Sequence, residues 1–161
     1  MSRPRTIPDA VIYAAILRLI AEGGEKAVAF STVSRATGLA APSLVQRYGA
    51  LPDMVHVALL GEWDRLDGVI AAAIATPKGP LALLKALSPP PSAALLAASL
   101  RHARLRDRAS AWRMQVVAAL IAGQVGSDQA AMLFAAWIGL GSLEGFGDKG
   151  FKLKDLVRML A

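Results

Sequence analysis

The sequence predicts an all-α protein of about nine helices, an N-terminal helix-turn-helix head followed by a C-terminal helical body. Three observations carry that expectation. Apolar residues recur at three- and four-residue spacing over nearly the whole chain, the period of helices that bury one face. No stretch alternates apolar and polar residues for long enough to make a half-buried strand. Prolines and glycines interrupt the pattern at helix-like intervals, and much of the apolar content is alanine, the strongest helix former.

The elements follow in order. Pro8 and Asp9 open a first helix over residues 8–22, because a proline there loses no needed N–H and an acid faces the positive end of the helix dipole. Val11, Ile12, Ala15, Ile16, Leu19 and Ile20 form its apolar face, and Gly23 and Gly24 end it. A short helix over 31–37 takes Ser31 or Thr32 as its cap. Gly38 breaks the pattern, and a third helix runs over 42–49 from Pro42. Pro52 and Asp53 open a long fourth helix, lined on one side by Val55, Leu59, Trp63, Leu66 and Ile70, that stops at Thr76 and Pro77. Further helices are expected over 78–87, over 92–104 after the break at Pro89, Pro90 and Pro91, and over 107–124, 129–144 and 152–160. Gly145, Gly147 and Gly150 make the last connection.

Composition narrows the function. With 161 residues the chain is one domain or one two-lobed unit. Its 55% apolar and 19% charged content is the opposite of a disordered chain. The absence of cysteine excludes a disulfide scaffold, a cysteine zinc site and a thiol nucleophile. The two histidines, His56 and His102, are far apart, and no nucleophile, base and orienting group can be assembled, so no metal, cofactor or enzymatic activity is expected. The N-terminus has no apolar signal core, and the longest charge-free stretches, 86–100 and 129–143, are shorter than the roughly 18–20 residues of a membrane span. The expectation is a soluble cytoplasmic protein. The formal charge is +6, and residues 1–50 hold six basic and three acidic groups, a balance that suits an anionic partner.

The informative stretch runs from Phe30 to Tyr48. Two helices of about two turns are joined at Gly38, where the turn takes a left-handed backbone conformation that a Cβ disfavours. Val33, Leu39 and Leu44 fill the inner faces, with Ser34 small at the crossing. The second helix presents Ala41, Ser43, Gln46 and Arg47 outward, and Gln and Arg can make paired hydrogen bonds to adenine and guanine edges. Ser31 and Thr32 open the preceding helix with N–H groups available to a phosphate. Arg3 and Arg5 lie on an arm that can reach phosphates or a minor groove.

At these residues the chain resembles the DNA-binding domain of the TetR family of bacterial transcriptional regulators. The matching pieces are Ala21, Glu22, Gly23 and Gly24, then 31–37, Gly38 and Leu39, 42–48, Gly49, and Asp53 and Met54 opening the long fourth helix. The resemblance covers about 47 residues from Ile12, and the order of the later helices also fits. Val45 stands where the family usually carries a Tyr, and Leu51 where it usually carries a Lys. Those two side chains commonly hold the phosphate backbone, so the resemblance implies two fewer phosphate contacts here.

The resemblance implies a double-stranded DNA operator as partner, a homodimer, and a body, residues 51–161, that binds a small apolar or amphipathic effector and acts in a bacterial cytoplasm at the nucleoid. The head is residues 1–50. Its candidate DNA-binding residues are Arg3, Arg5, Ser31, Thr32, Arg35, Ala41, Pro42, Ser43, Gln46, Arg47 and Tyr48. Ser43, Gln46 and Arg47 would read bases, and Thr32, Tyr48 and the arginine arm would hold phosphates. Candidate pocket residues are His102, Trp112, Gln115, Phe134 and Trp137, set against a plain core reading of the aromatics. Ala131, Ala135, Ile138, Gly139 and Ser142 make a small-residue face suited to a symmetric dimer. The cluster Arg101, Arg104, Arg106, Arg108 and Arg113 reads as a solvated corner. The expected function is a dimeric transcriptional regulator, a repressor released by a small effector. The alternative is a helical dimerisation or partner-binding protein with a degenerate DNA-binding head.

Overall fold

The structure is a computed structural model describing residues 7–75, 79–143, 146–147 and 150–160. Among the described residues there are nine α-helices, one 3-10 turn at Glu25–Ala27 and no strand. The helices are α1 (Asp9–Gly23), α2 (Phe30–Thr37), α3 (Ala41–Tyr48), α4 (Leu51–Ile74), α5 (Pro80–Ala86), α6 (Ala93–Arg101), α7 (Ala103–Ala122), α8 (Ser127–Ser142) and α9 (Leu153–Leu160). The all-α expectation and the helix order hold. The expected ends at Thr76, Pro77 and Glu144, and the linker glycine Gly145, lie outside the described residues. Among the described residues no helix is long and apolar enough to cross a membrane.

The chain divides into two compact units, Met1–Glu62 and Trp63–Ala161, and the division falls inside α4. In the first unit, Ile12, Ile16 and Ile20 are buried at four-residue spacing on α1. The buried stripe is narrower than the expected six-residue face, since Val11 is half exposed. Val28, Val33, Leu44, Met54, Ala58 and Leu59 complete this core. At Gly61 α4 comes close to α1: a Cβ there would lie 2.6 Å from Tyr13 Cδ2 and 2.7 Å from Cε2.

In the second unit, α6 starts as expected, with the Ser92 hydroxyl accepting from the Leu95 N–H at 3.1 Å. The next helix starts a turn earlier than expected, because the basic stretch after Arg101 stays helical and only His102 (φ −126°, ψ 122°) interrupts it. Three tryptophans dominate the core. Trp63 Nε1 donates to Ser99 Oγ at 3.0 Å, and Ser99 donates to the Leu95 carbonyl at 2.8 Å. Trp137 Nε1 donates to Ser88 Oγ at 3.1 Å, and Ser88 donates to the Leu84 carbonyl at 2.8 Å. A hydroxyl both donates and accepts, so one serine satisfies an indole and its own helix together. Trp112 packs between the others, with ring centroids 5.7 Å from Trp63 and 6.0 Å from Trp137. Arg108 ties α7 to α4 through Asp64 and through Asp67 at 2.8 Å.

Two glycines of α4 separate packing from helix propensity. Gly68→Ala, where a Cβ meets nothing within 4 Å, should stabilise the protein by about 1 kcal/mol. Gly61→Ala gains the same propensity but drives a rigid ring aside at about 1–3 kcal/mol, and should lower the melting temperature. Thermal unfolding of the two variants checks the opposite signs.

Candidate nucleic-acid interface

The α2–α3 pair is built from local rules. Ala29 precedes α2 and has no side-chain acceptor of its own, so the expected Ser31 or Thr32 cap is replaced by a reach-back from the third helical position. Thr32 Oγ1 accepts from the Ala29 N–H at 2.9 Å and lies 2.9 Å from each of the Ala27 and Ala29 carbonyls. Thr32 is therefore an internal brace whose hydroxyl already has partners. Val33 N–H is the first to bond back along the helix, to the Ala29 carbonyl at 3.0 Å, which leaves the first-turn N–H groups of Phe30, Ser31 and Thr32 without helical acceptors.

At the turn, Gly38 has φ 75° and ψ 3°, the left-handed conformation expected, and its N–H closes on the Ser34 carbonyl at 2.8 Å. Thr37 Oγ1 donates to the Val33 carbonyl at 2.8 Å and accepts from the Leu39 N–H at 3.3 Å, stiffening the turn. Val33 and Leu44 are completely buried, and Leu39 is half-buried between them in sequence. Pro42 sits in the first turn of α3, where its missing N–H costs nothing.

These constraints decide what faces outward. On α3, Pro42, Val45 and Gln46 are exposed and share one face by their three- and four-residue spacing. Ala41 and Ser43 are half-buried beside them, and Ser31 and Arg35 are exposed on α2. Arg3 and Arg5 lie outside the described residues.

Arg47 and Tyr48 both make contacts within the chain. Arg47 Nη1 donates to the Ile7 carbonyl at 2.8 Å, and Nη2 lies 3.0 Å from Asp9 Oδ1. The Tyr48 hydroxyl donates to the same carboxylate oxygen. The Arg47 guanidinium carbon stands 5.7 Å from the Tyr48 ring centroid, and the Tyr13 ring packs 6.4 Å away on the other member. This cluster fastens the C-terminal end of α3 to the first turn of α1. Arg47, expected to read bases, remains exposed, and two of its guanidinium nitrogens are engaged with Ile7 and Asp9. Burial, and then the hydrogen bond and negative charge of Asp9, push the Tyr48 hydroxyl well above its ordinary pKa of 10.0. Nothing local signals the cluster, because its partners are about forty residues apart.

The second unit carries the other expected sites. Trp112 and Trp137 are buried, and Phe134 packs against both at 6.0 and 6.2 Å. His102 and Gln115 are exposed. The three aromatic residues pack against one another. Trp137 does line a cavity of about 350 Å³ with Ser88, Pro90 and Leu153. A larger cavity of about 400 Å³ lies elsewhere, lined by Ala72, Ile74, Ala82, Leu83, Ala119 and Gly123 among others. On α8, Ala131, Ala135 and Ser142 are exposed, Ile138 and Gly139 are half-buried, and a Cβ on Gly139 would meet nothing within 4 Å. Met132 on α8 and Met114 and Ile121 on α7 are also exposed. Arg104, Arg106 and Arg113 are exposed, while Arg108 is paired.

No protein-family model and no curated protein sequence matches the chain. Two solved structures are similar over nearly their whole length. One is a protein of Streptomyces coelicolor A3(2) assigned as a transcriptional regulator, with 18% identity, a TM-score of 0.65, and coverage of 96% of this chain and 97% of that one. The other is the multidrug-binding protein EbrR, in complex with malachite green, with 22% identity, a TM-score of 0.64, and coverage of 97% and 99%. The all-α fold of this chain is therefore the one these two proteins share.

The tyrosine gives a pH test. Folding raises the Tyr48 pKa, so the folded chain holds this proton more tightly than the unfolded chain. The stabilisation is complete below about pH 10 and is lost as pH rises beyond it. Tyr48→Phe should cost about 1–2 kcal/mol at neutral pH, and denaturant titrations should show its difference from the parent shrinking above pH 10.

Proposed function

We propose that the protein is a dimeric DNA-binding transcriptional regulator, a repressor that a small apolar effector releases from its operator. The observation that carries the reading is the helix-turn-helix itself. Gly38 closes the turn, Val33 and Leu44 anchor both helices, and α3 is left with an outward row of Pro42, Val45 and Gln46. A short helix braced from behind and open in front is the shape that enters a major groove. Gln46 would take adenine through paired hydrogen bonds. Ser43 flanks it, and Arg35, the first-turn N–H groups of α2 and the Arg3 and Arg5 arm would meet phosphates.

The exposed faces of α7 and α8 support the dimer. Met114, Ala118 and Ile121 lie on one side of α7, and Ala131, Met132, Ala135, Gly139 and Ser142 lie on one side of α8. Exposed apolar side chains flanked by small residues suit helix pairing across a two-fold axis. The Ala-lined cavity supports the effector. Its volume suits a small molecule, and its described lining of alanine, leucine, isoleucine and glycine favours an uncharged apolar one. A ligand that binds better when the heads are spaced wrongly for DNA would shift the population away from the operator-bound form. DNA would weaken its binding reciprocally.

The deciding experiment is selection of bound sequences from a random DNA library, followed by a gel shift at near-physiological salt against excess competitor DNA. A discrete complex that weakens as salt rises is expected. Failure to select any sequence would leave the helical dimerisation protein with a degenerate head as the better account. Within the selected operator, Gln46→Ala should cost about 1–3 kcal/mol and relax one base position. Arg47→Ala should lower affinity without changing base preference, as loss of a brace does.

The dimer has its own test. Gly139→Glu places a charge where, among the described residues, no other element stands within 4 Å of the added Cβ. Sedimentation should show a dimer for the parent and a folded monomer for the variant.

A further inference from the structure

We infer that Val45 reads the 5-methyl group of a thymine, so that the recognition helix reads its operator through apolar and neutral polar contacts. This rests on the DNA-binding reading above and adds the base class to it.

The argument starts from what α3 can present. Arg47 is drawn back to Ile7 and Asp9, and Tyr48 to Asp9. Leu44 is completely buried. Arg47 is exposed, but with its guanidinium engaged at Ile7 and Asp9 the face shared by Pro42, Val45 and Gln46 is a row without charge. Val45 is 46% exposed. A valine on a solvent-facing helix surface lies outside the buried core here, and it is a poorer helix former than alanine. Its side chain is nevertheless stiff, held to one χ1 rotamer in a helix. A rigid, exposed, branched apolar group is suited to a partner with an apolar feature in a fixed place.

The major groove offers one such feature. Donors and acceptors line it, and the thymine C5-methyl is its apolar group. Guanine is read best by arginine or lysine, and the arginine of this helix is held by α1. Gln46, next along the helix, pairs with adenine N6 and N7. The row therefore matches an A·T-containing step, with a thymine methyl against Val45 and a neighbouring adenine at Gln46.

Replacement of thymine by deoxyuridine tests this, since it removes the methyl and leaves the groove's hydrogen-bonding pattern intact. The full-length protein is titrated against its selected operator and against versions in which each thymine is replaced singly. At one thymine of the half-site the parent should lose about four-fold in affinity, the worth of one buried methyl-sized group. Val45→Ala should lose a similar factor on the thymine operator and be indifferent to deoxyuridine at that same position. Its melting temperature should match the parent's, because the side chain is exposed.

An undiminished deoxyuridine effect in Val45→Ala would overturn the inference, as would an operator with no methyl-sensitive thymine, while specific DNA binding stood. Absence of any specific operator would instead overturn the DNA-binding reading, and this inference with it.

Discussion

The carboxylate of Asp9 holds the end of α3 in place, and the character of the outward surface follows from that. A helix of eight residues cannot stand alone in water. Leu44 gives α3 one deep anchor, which fixes its position but not its rotation. Two donors from consecutive residues, Arg47 and Tyr48, converge on one carboxylate in the first turn of α1, where the helix dipole already favours negative charge. Rotation of α3 about its axis would break both. The clamp therefore helps set which side chains of α3 face solvent, and it engages the guanidinium of the exposed Arg47 with Ile7 and Asp9.

The same economy of partners recurs in the second unit. Burying three tryptophans supplies much apolar area but introduces three indole N–H groups. Two of them meet serine hydroxyls that also bond to a carbonyl four residues back, so Trp63 and Trp137 are placed by hydrogen bonds as well as by packing. Trp112 Nε1 has no partner among the described residues, and its place is set by ring contacts alone. Small residues do the complementary work. Gly61 lets α4 come within contact of the Tyr13 ring, and Gly141 does so for α8 against Pro90, where a Cβ would lie 2.1 Å from Cγ.

Much of the fold was legible before the structure. Helical periodicity marked every α-helix, and Ser92, Pro42, Gly24 and Gly38 marked starts and stops because their effect is stereochemical and local. Boundaries were missed where the local signal was ambiguous. The helix after His102 started early since arginines are good helix formers and tertiary packing of Leu105 extended it. The cap of α2 was misplaced because Thr32 can serve either from the cap or by reaching back from the third position. The outward surface was legible in outline: Gln46 and Arg47 are exposed as expected, while Ala41 and Ser43 are half-buried.

The sequence by itself determined the helices, the glycine turn and the α2–α3 pairing, because those depend on backbone conformation and on apolar spacing within a few residues. Only the tertiary structure decided which partners the polar side chains of α3 meet. Arg47 is expected to read bases from its type and place on α3, and its contacts with Ile7 and Asp9, about forty positions away, appear only in the folded chain. Long-range hydrogen bonds redirect a flexible side chain without leaving a trace in local pattern, so its role became visible only when α1 and α3 were seen together.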